Sequence, residues 1–388
     1  MRDLSRCVHH PAVSHDGYAS LSVATYRAST IVFDGPESYA TRSSRGPDGY
    51  SYGLHGTPTS RTLEAQLTAL EQGERTALLP SGQAAIAAVM LTTLLPGDHV
   101  LIPDSAYPPV RGFCVNYLAP RGIHHTVYDP MTGGNIAGLI DAQTRLVWVE
   151  SPGSTTMEVQ DIPAIAAAAH AKGALVGCDN TWATPLLFKP LNHGVDFSMQ
   201  ALTKYVGGHS DLLMGSVSVR DLALHRRLKD TMRMLGIGVS PDDCSLALRG
   251  LETMGVRLAH AGRTAFDFAQ RIAALPMVAR VLHPGLPGCP GHDVWRRDFS
   301  GASGVFSVVL RPTSTEAVTR ALGGLKTFSI GASWGGTRSL IVPMPVTGDR
   351  IAVPWPDPTP LLRISVGLED PEDLWADLAA VFSEIAAG

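Results

Sequence analysis

The 388-residue chain reads as an α/β protein, a mostly parallel sheet with helices on both faces joined to a smaller α+β unit. Three observations predict this. Apolar runs at 99–103, 145–150 and 174–178 have hardly a polar interruption, the composition of strands buried on both faces. Helical stretches alternate with these runs, as crossovers between parallel strands require. Past about residue 240 the alternation gives way to strands at 305–310 and 361–366 beside helices near 316–325 and 371–386.

Taken in order, residues 1–55 show little periodicity and form an arm. Gly, Pro, Ser and Tyr accumulate at 33–39 and 43–53. An arm this long without elements of its own is either disordered or laid against another subunit, and its aromatics favour the second. Residues 56–240 are then the large domain and 241–388 the small one. Thr59 is read as the cap of a helix with Leu63, Leu67 and Leu70 on its apolar face, ending at Gly73. A short strand at 76–80 turns through Ser81-Gly82-Gln83 into a helix at 84–95. Asp161 caps a helix at 162–172, which Gly173 stops. The strand at 174–178 runs straight into Asp179. A half-apolar run at 195–201 is a further strand, and Gly207-Gly208 belongs to the loop that leaves it. In the last helix Leu374, Leu378, Phe382 and Ile385 share one face.

Composition narrows the function. With 45% hydrophobic and 17% charged residues, the chain is a folded protein rather than a disordered one. A net charge of -4 gives no electrostatic footprint for nucleic acid. No apolar run approaches the roughly 20 residues of a membrane span, and the polar start lacks the apolar core of a signal peptide. Cys7, Cys114, Cys178, Cys244 and Cys289 are scattered and odd in number, which suggests neither a zinc knuckle nor a disulfide framework. A reducing cytoplasm is the natural setting. His9-His10 and His124-His125 lack ligand spacing or an acidic partner, so they read as surface histidines. Cys178 reads as a small core residue rather than a nucleophile.

The residues with chemical promise stand at strand ends. Ser81-Gly82-Gln83 lies between a strand and a helix, where free N–H groups and the positive helix end suit a phosphate, although many such turns are only tight turns. Asp179 ends a strand, on the edge where open α/β sheets place ligands; alone it reads equally as a helix cap. Lys204 follows 25 residues later in Leu202-Thr203-Lys204-Tyr205-Val206-Gly207-Gly208-His209-Ser210-Asp211. A buried ammonium is costly unless paired or neutralised, and the neutral amine that burial favours is what Schiff-base chemistry needs. Phosphate cradle, carboxylate and lysine together fit pyridoxal phosphate, with the carboxylate keeping the pyridine nitrogen protonated.

Glu150-Ser151-Pro152-Gly153-Ser154-Thr155-Thr156-Met157-Glu158-Val159, Asp179-Asn180-Thr181-Trp182-Ala183, Thr203-Lys204-Tyr205 with Gly208-His209-Ser210-Asp211, Ser333-Trp334-Gly335-Gly336 and Arg363 ahead of Gly367-Leu368-Glu369-Asp370 form a distinctive set. In these motifs, and over nearly its whole length, the chain resembles the cystathionine β-lyase branch of the Cys/Met-metabolism enzymes dependent on pyridoxal phosphate. The resemblance implies the fold-type I architecture of such enzymes, and a homotetramer built from dimers that share active sites.

It also implies roles. Lys204 matches the Schiff-base lysine and proton shuttle, and Asp179 the partner of the pyridine nitrogen. Ser81, Gly82 and Gln83 match the phosphate turn, with Thr203 adding a hydroxyl. Tyr107 matches the tyrosine that stacks on the cofactor ring and assists proton transfer; as a bare residue it is equally a wall aromatic. Tyr52 matches a residue reaching the phosphate from a neighbouring subunit. Arg363 matches the clamp on the substrate carboxylate, a role suited to a planar fork, and Ser333 and Trp334 match the wall beside it. Three positions depart from the pattern: Ala201 stands three before Lys204, where a serine is often found, and two more affect polar contacts. Leu54, followed by His55, stands where relatives have an arginine serving phosphate and substrate, and Gly112 replaces a carboxylate. The implied reaction is α,β-elimination from cystathionine or another L-cysteine S-conjugate, giving thiol, pyruvate and ammonia. Its rivals are γ-elimination or γ-replacement on a homoserine derivative, and a non-catalytic cofactor-binding scaffold.

Overall fold

A computed structural model describes residues 14–46, 48–348, 350–355 and 361–387. Cys7, His9 and His10 lie outside the described residues. Two sheets organise the chain. The first contains β1 (Arg75–Leu79), β2 (His99–Pro103), β3 (His124–Tyr128), β4 (Thr144–Glu150), β5 (Leu175–Asp179), β6 (Phe197–Ala201) and β7 (Gly215–Val219). Their order is β1-β7-β6-β5-β4-β2-β3. From β6 to β3 all neighbours are parallel, while β7 runs antiparallel to both β6 and β1. The expected parallel sheet is therefore present, with one reversed strand.

The helices explain the apolar runs. Crossing the first sheet are α1 (Pro58–Glu71), α2 (Gly82–Thr93), α3 (Pro108–Phe113), α4 (Ile162–Ala171) and α5 (Leu222–Met234). One core packs Ile86, Val89 and Met90 of α2 against Ile102, Trp148 and Phe197 of the strands. The opposite face packs Ile165 and Ala169 of α4 against Val147, Val149 and Val176. Strands enclosed on both faces have no polar side to alternate with, which is why they read as continuous apolar runs.

The start of α1 differs from expectation. Thr57, not Thr59, is the N-cap, in a capping box with Ser60 ahead of Pro58. Thr59 instead ties the arm to the body. Its hydroxyl donates to the Ala24 carbonyl and accepts the Tyr26 N–H, both at 2.8 Å. The arm is otherwise largely exposed in the single chain, including Tyr18, Leu21, Tyr26, Val32 and Tyr39.

α6 (Pro241–Ala273) joins the two sheets. At 33 residues it is long enough to serve both. Its first half packs Cys244, Leu248, Leu251 and Leu258 with Leu63, Leu67 and Tyr205. Its second half packs Ala265, Phe268 and Ile272 with the second sheet. That sheet holds β8 (Val278–Leu282), β9 (Val305–Leu310), β10 (Leu340–Met344) and β11 (Leu361–Ser365), antiparallel throughout in the order β10-β11-β9-β8. α7 (Thr315–Leu322) and α8 (Pro371–Ala387) cover it, and Leu374, Leu378, Phe382 and Ile385 form the buried face expected of the last helix.

Candidate active site

The parallel strands β4, β5 and β6 end on the same edge, and Glu150, Asp179 and the turn after Ala201 project there. The second sheet faces this edge with Arg363 and the loop around Ser333. Between them lies a cavity of about 230 Å³, open to solvent. It is lined by Ser81, Gly82, Gln83, Tyr107, Asp179, Thr203, Lys204, Trp334 and Arg363 among others. Residues expected from distant parts of the sequence thus meet in one place.

The first wall is a helix end. Ser81 caps α2 by accepting the Ala84 N–H, so the N–H groups of Gly82 and Gln83 head the helix without a preceding turn to bond them. Gly82 is required by space: a Cβ there would come 2.7 Å from the Cβ of Ala201. The Gln83 side-chain oxygen is buried without a partner.

Asp179 is buried at the end of β5 and accepts the Thr181 N–H at 2.9 Å. Burial raises its pKa, while the Thr181 hydroxyl, the Thr181 N–H and Lys204 oppose the rise. Thr181 also accepts the Ala201 N–H at 2.9 Å, which ties the ends of β5 and β6 together. Lys204 sits in the turn just beyond β6. Its N–H donates to the Ala201 carbonyl at 3.0 Å, and Gly208 closes the turn onto the Lys204 carbonyl at 2.7 Å. Gly208 has φ +72°, and a Cβ there would strike the guanidinium of Arg257. The Lys204 amine donates to the Ser333 hydroxyl at 2.7 Å and lies 5.4 Å from the centre of the Trp334 ring. Burial, and then the nearby Arg363 cation, bring its pKa down to about 8 against the pull of Asp179.

Arg363 lies within β11, buried, and donates to the Ala332 carbonyl at 2.9 Å. Tyr107 stands immediately before α3, where Pro108 opens the helix. The Thr203 hydroxyl donates to the Met214 carbonyl at 3.2 Å, so its single proton is already engaged. Cys178 is fully buried and burial pushes its thiol well above the usual range, as suits a core residue.

Tyr52, Leu54 and His55 are not brought to this cavity within one chain. Leu54 and His55 line a smaller cavity with Lys229, Met232 and Gly238, and Leu54 packs against Gly238. Burial and the cations Lys229, Arg233 and Arg61 lower the pKa of His55. Glu150, Ser154, Thr155 and Thr181, which stand in the sequence motifs with no role assigned to them, line the main cavity. Glu150 could have been found by the sign that marked Asp179, an acidic residue closing an apolar strand. Among the described residues no three His, Cys, Asp or Glu side chains gather as a metal site. His124 and His125 lie on the edge strand β3.

The profile of the family described as Cys/Met metabolism PLP-dependent enzyme matches residues 5–383. A putative cystathionine beta-lyase of Rhizobium johnstonii is 43% identical over 99% of this chain and 96% of its own length. Cystathionine beta-lyase MetC of Escherichia coli is 40% identical, covering 92% of each chain. A cystathionine gamma synthase of Xanthomonas oryzae, solved with aminoacrylate and cysteine, superposes with a TM-score of 0.87 at 32% identity, over 96% of this chain and 95% of that one. The chain belongs to the Cys/Met metabolism family of pyridoxal-phosphate-dependent enzymes.

The cavity fits that cofactor on three counts. The head of α2 offers N–H donors and the positive helix end to a phosphate, with Gly82 keeping the approach open. Asp179 is a desolvated carboxylate, and a protonated ring nitrogen would supply the cation its burial demands. Lys204 offers an amine held unusually close to neutrality.

Proposed function

We propose that this enzyme is a carbon–sulfur β-lyase that splits an L-cysteine S-conjugate, with cystathionine as one candidate, into a thiol, pyruvate and ammonia. One water is consumed per turnover. The observation that supports it most is the placement of a Lys204 amine of lowered pKa in one cavity with Arg363 and Asp179. Bound pyridoxal phosphate supplies the electron sink that makes the α-proton acidic and lets the β-substituent depart.

The chain's own residues do the rest. Gly82 and Gln83 bind the phosphate through their N–H groups, and Asp179 holds the ring nitrogen protonated. Thr203 joins the phosphate contacts only if its hydroxyl turns away from Met214. Arg363 fixes the substrate carboxylate with two parallel hydrogen bonds, which orients the Cα–H bond. The Lys204 amine, once exchanged for the substrate amine, takes the α-proton; Ser333 keeps it within reach. Tyr107 covers the ring and aids proton transfer to the leaving sulfur, and Trp334 excludes water from the Lys204 side.

The exposed arm supports a homo-oligomer, a homotetramer built from two dimers in which Tyr52, Leu54 and His55 of one subunit complete a neighbour's site. No helix among the described residues is long and apolar enough to cross a membrane, and four buried free thiols suit a reducing cytoplasm. The similarity to a γ-synthase fold favours one second reading, γ-elimination or γ-replacement with the same residues. Incubating purified enzyme with cystathionine, with cysteine S-conjugates, and with O-acyl homoserines in the presence and absence of cysteine decides between them. Pyruvate with a free thiol supports β-elimination. 2-Oxobutyrate or a new thioether would replace it by γ-chemistry, and absence of turnover on every substrate would overturn both.

A further inference from the structure

Glu150 belongs to the most distinctive motif of the chain, yet the β-elimination chemistry leaves it without a role. It ends β4 directly beside Asp179, its register partner on β5, and both carboxyl groups are buried and line the main cavity. Adjacent residues on neighbouring parallel strands sit about 4.8 Å apart and point to the same face. Two desolvated carboxylates on neighbouring register positions disfavour each other's charge. The cation of Lys204 acts on Asp179, favouring charge there. Asp179, in turn, is what pushes Glu150 towards its neutral form after burial itself.

Glu150 also reaches across the cavity wall. Its Oε2 accepts the Tyr107 N–H at 2.6 Å, the last backbone donor before Pro108, which has none. Ser154, on the other wall, lies beside the same carboxyl and opposes the rise in its pKa, while its own N–H donates to the Ser105 carbonyl at 2.8 Å. One side chain thus pins the Tyr107 wall to the strand that neighbours Asp179.

We propose that Glu150 is a positioning residue of this site, a neutral acid that fixes Tyr107 over the cavity and leaves the carboxylate charge to Asp179 alone. The inference rests on the placement of pyridoxal phosphate in this cavity but not on the choice between β- and γ-chemistry. The groups around Glu150 are Asp179 on β5, Cys178 behind it, Tyr107 before α3 and Ser154 in the 152–157 loop; Lys204 and Arg363 line the far side of the cavity.

Two kinds of variant test the two halves. Glu150→Gln keeps an oxygen for the Tyr107 N–H and cannot ionise. In the cofactor-loaded protein the pH midpoint of the visible absorption band stays within about 0.3 unit of wild type. A shift of one unit or more would mean that Glu150 carries charge, and would overturn the neutral assignment. Glu150→Ala, or Glu150→Asp should the alanine variant not fold, releases Tyr107. The visible circular dichroism that the bound cofactor acquires from its surroundings then changes as it does in Tyr107→Phe. Turnover falls to roughly the Tyr107→Phe level, and the double variant falls no further, because residues acting through one another are not additive. Additive losses, or an unaltered dichroism in the Glu150 variants, would overturn the link to Tyr107. The dichroism and the band titration need no substrate, so they stand whether or not the lyase reading survives.

Discussion

Lys204 gives the sharpest quantitative test, because its reactivity is set by measurable surroundings. Burial is the larger cause and Arg363 the next, and together they lower the amine from 10.5 to about 8. At pH 7 about a tenth of the amine is then neutral, whereas an ordinary lysine would be neutral in roughly one molecule in a few thousand. Capture of pyridoxal phosphate by cofactor-stripped enzyme should reflect this. Its second-order rate, corrected for the cofactor's own titration with a small reference amine, rises about tenfold from pH 7 and levels off above pH 8. Arg363→Met removes a like charge, so the inflection moves upward while burial keeps it below that of a free lysine. Stopped-flow absorbance across pH 6.5–10 reads both curves. A rate that climbs without levelling past about pH 9.5, or an inflection that Arg363→Met moves downward, would refute the reasoning.

Three further outcomes follow from the same geometry. Lys204→Ala abolishes turnover and the borohydride-reducible attachment of the cofactor while far-ultraviolet dichroism is retained; a reducible attachment in that variant would move the role to another lysine. Arg363→Lys exchanges a planar fork for a point charge and loses about 1.5–3 kcal/mol, seen as a roughly ten- to hundredfold drop in kcat/KM for amino-acid substrates with little change in cofactor affinity; an unchanged kcat/KM would take Arg363 out of the site. Glu71 is buried at the end of α1, bonded to Ser198 and Gln200 of β6, and burial raises its carboxyl from 4.5 to about 7. Its folded value exceeds its unfolded one, so the stability it contributes is complete below the unfolded pKa and is lost as pH rises through about 7. Glu71→Gln should accordingly gain on wild type by up to about 3 kcal/mol between pH 5 and pH 8, read from urea midpoints; a constant difference across that range would contradict it.

What the sequence disclosed, and what it hid, follows from how each element meets water. β2, β4 and β5 are covered on both faces along their central stretches, so those positions had to be apolar and the runs were visible as such. β3 lies at the edge with His124 and Thr126 exposed, and its mixed composition resembles a loop. β7 is buried, but Ser216 and Ser218 break its apolar run. Ser218 is satisfied by a 2.7 Å hydrogen bond to Thr76 of β1, a partner 142 residues away. Such cross-strand pairing leaves no local trace. The cap of α1 was legible in the sequence, since Thr57 directly precedes Pro58 and has Ser60 three residues on, whereas the tie of Thr59 to the folded-back arm leaves no local trace.

The site follows the same division. Asp179 and Lys204 are legible because a charged group ending or following an apolar strand needs a chemical reason to be there. Glu150 satisfies the same criterion without standing out, since one carboxylate is enough to account for a ring nitrogen. Its meaning appears only when β4 and β5 are set in register and two acids fall side by side. A second buried acid next to Asp179 would weaken the very charge the ring nitrogen needs, unless that acid keeps its proton. The bond to the Tyr107 N–H gives the neutral acid a use, and together they make Glu150 as much a part of the fold's logic as Lys204.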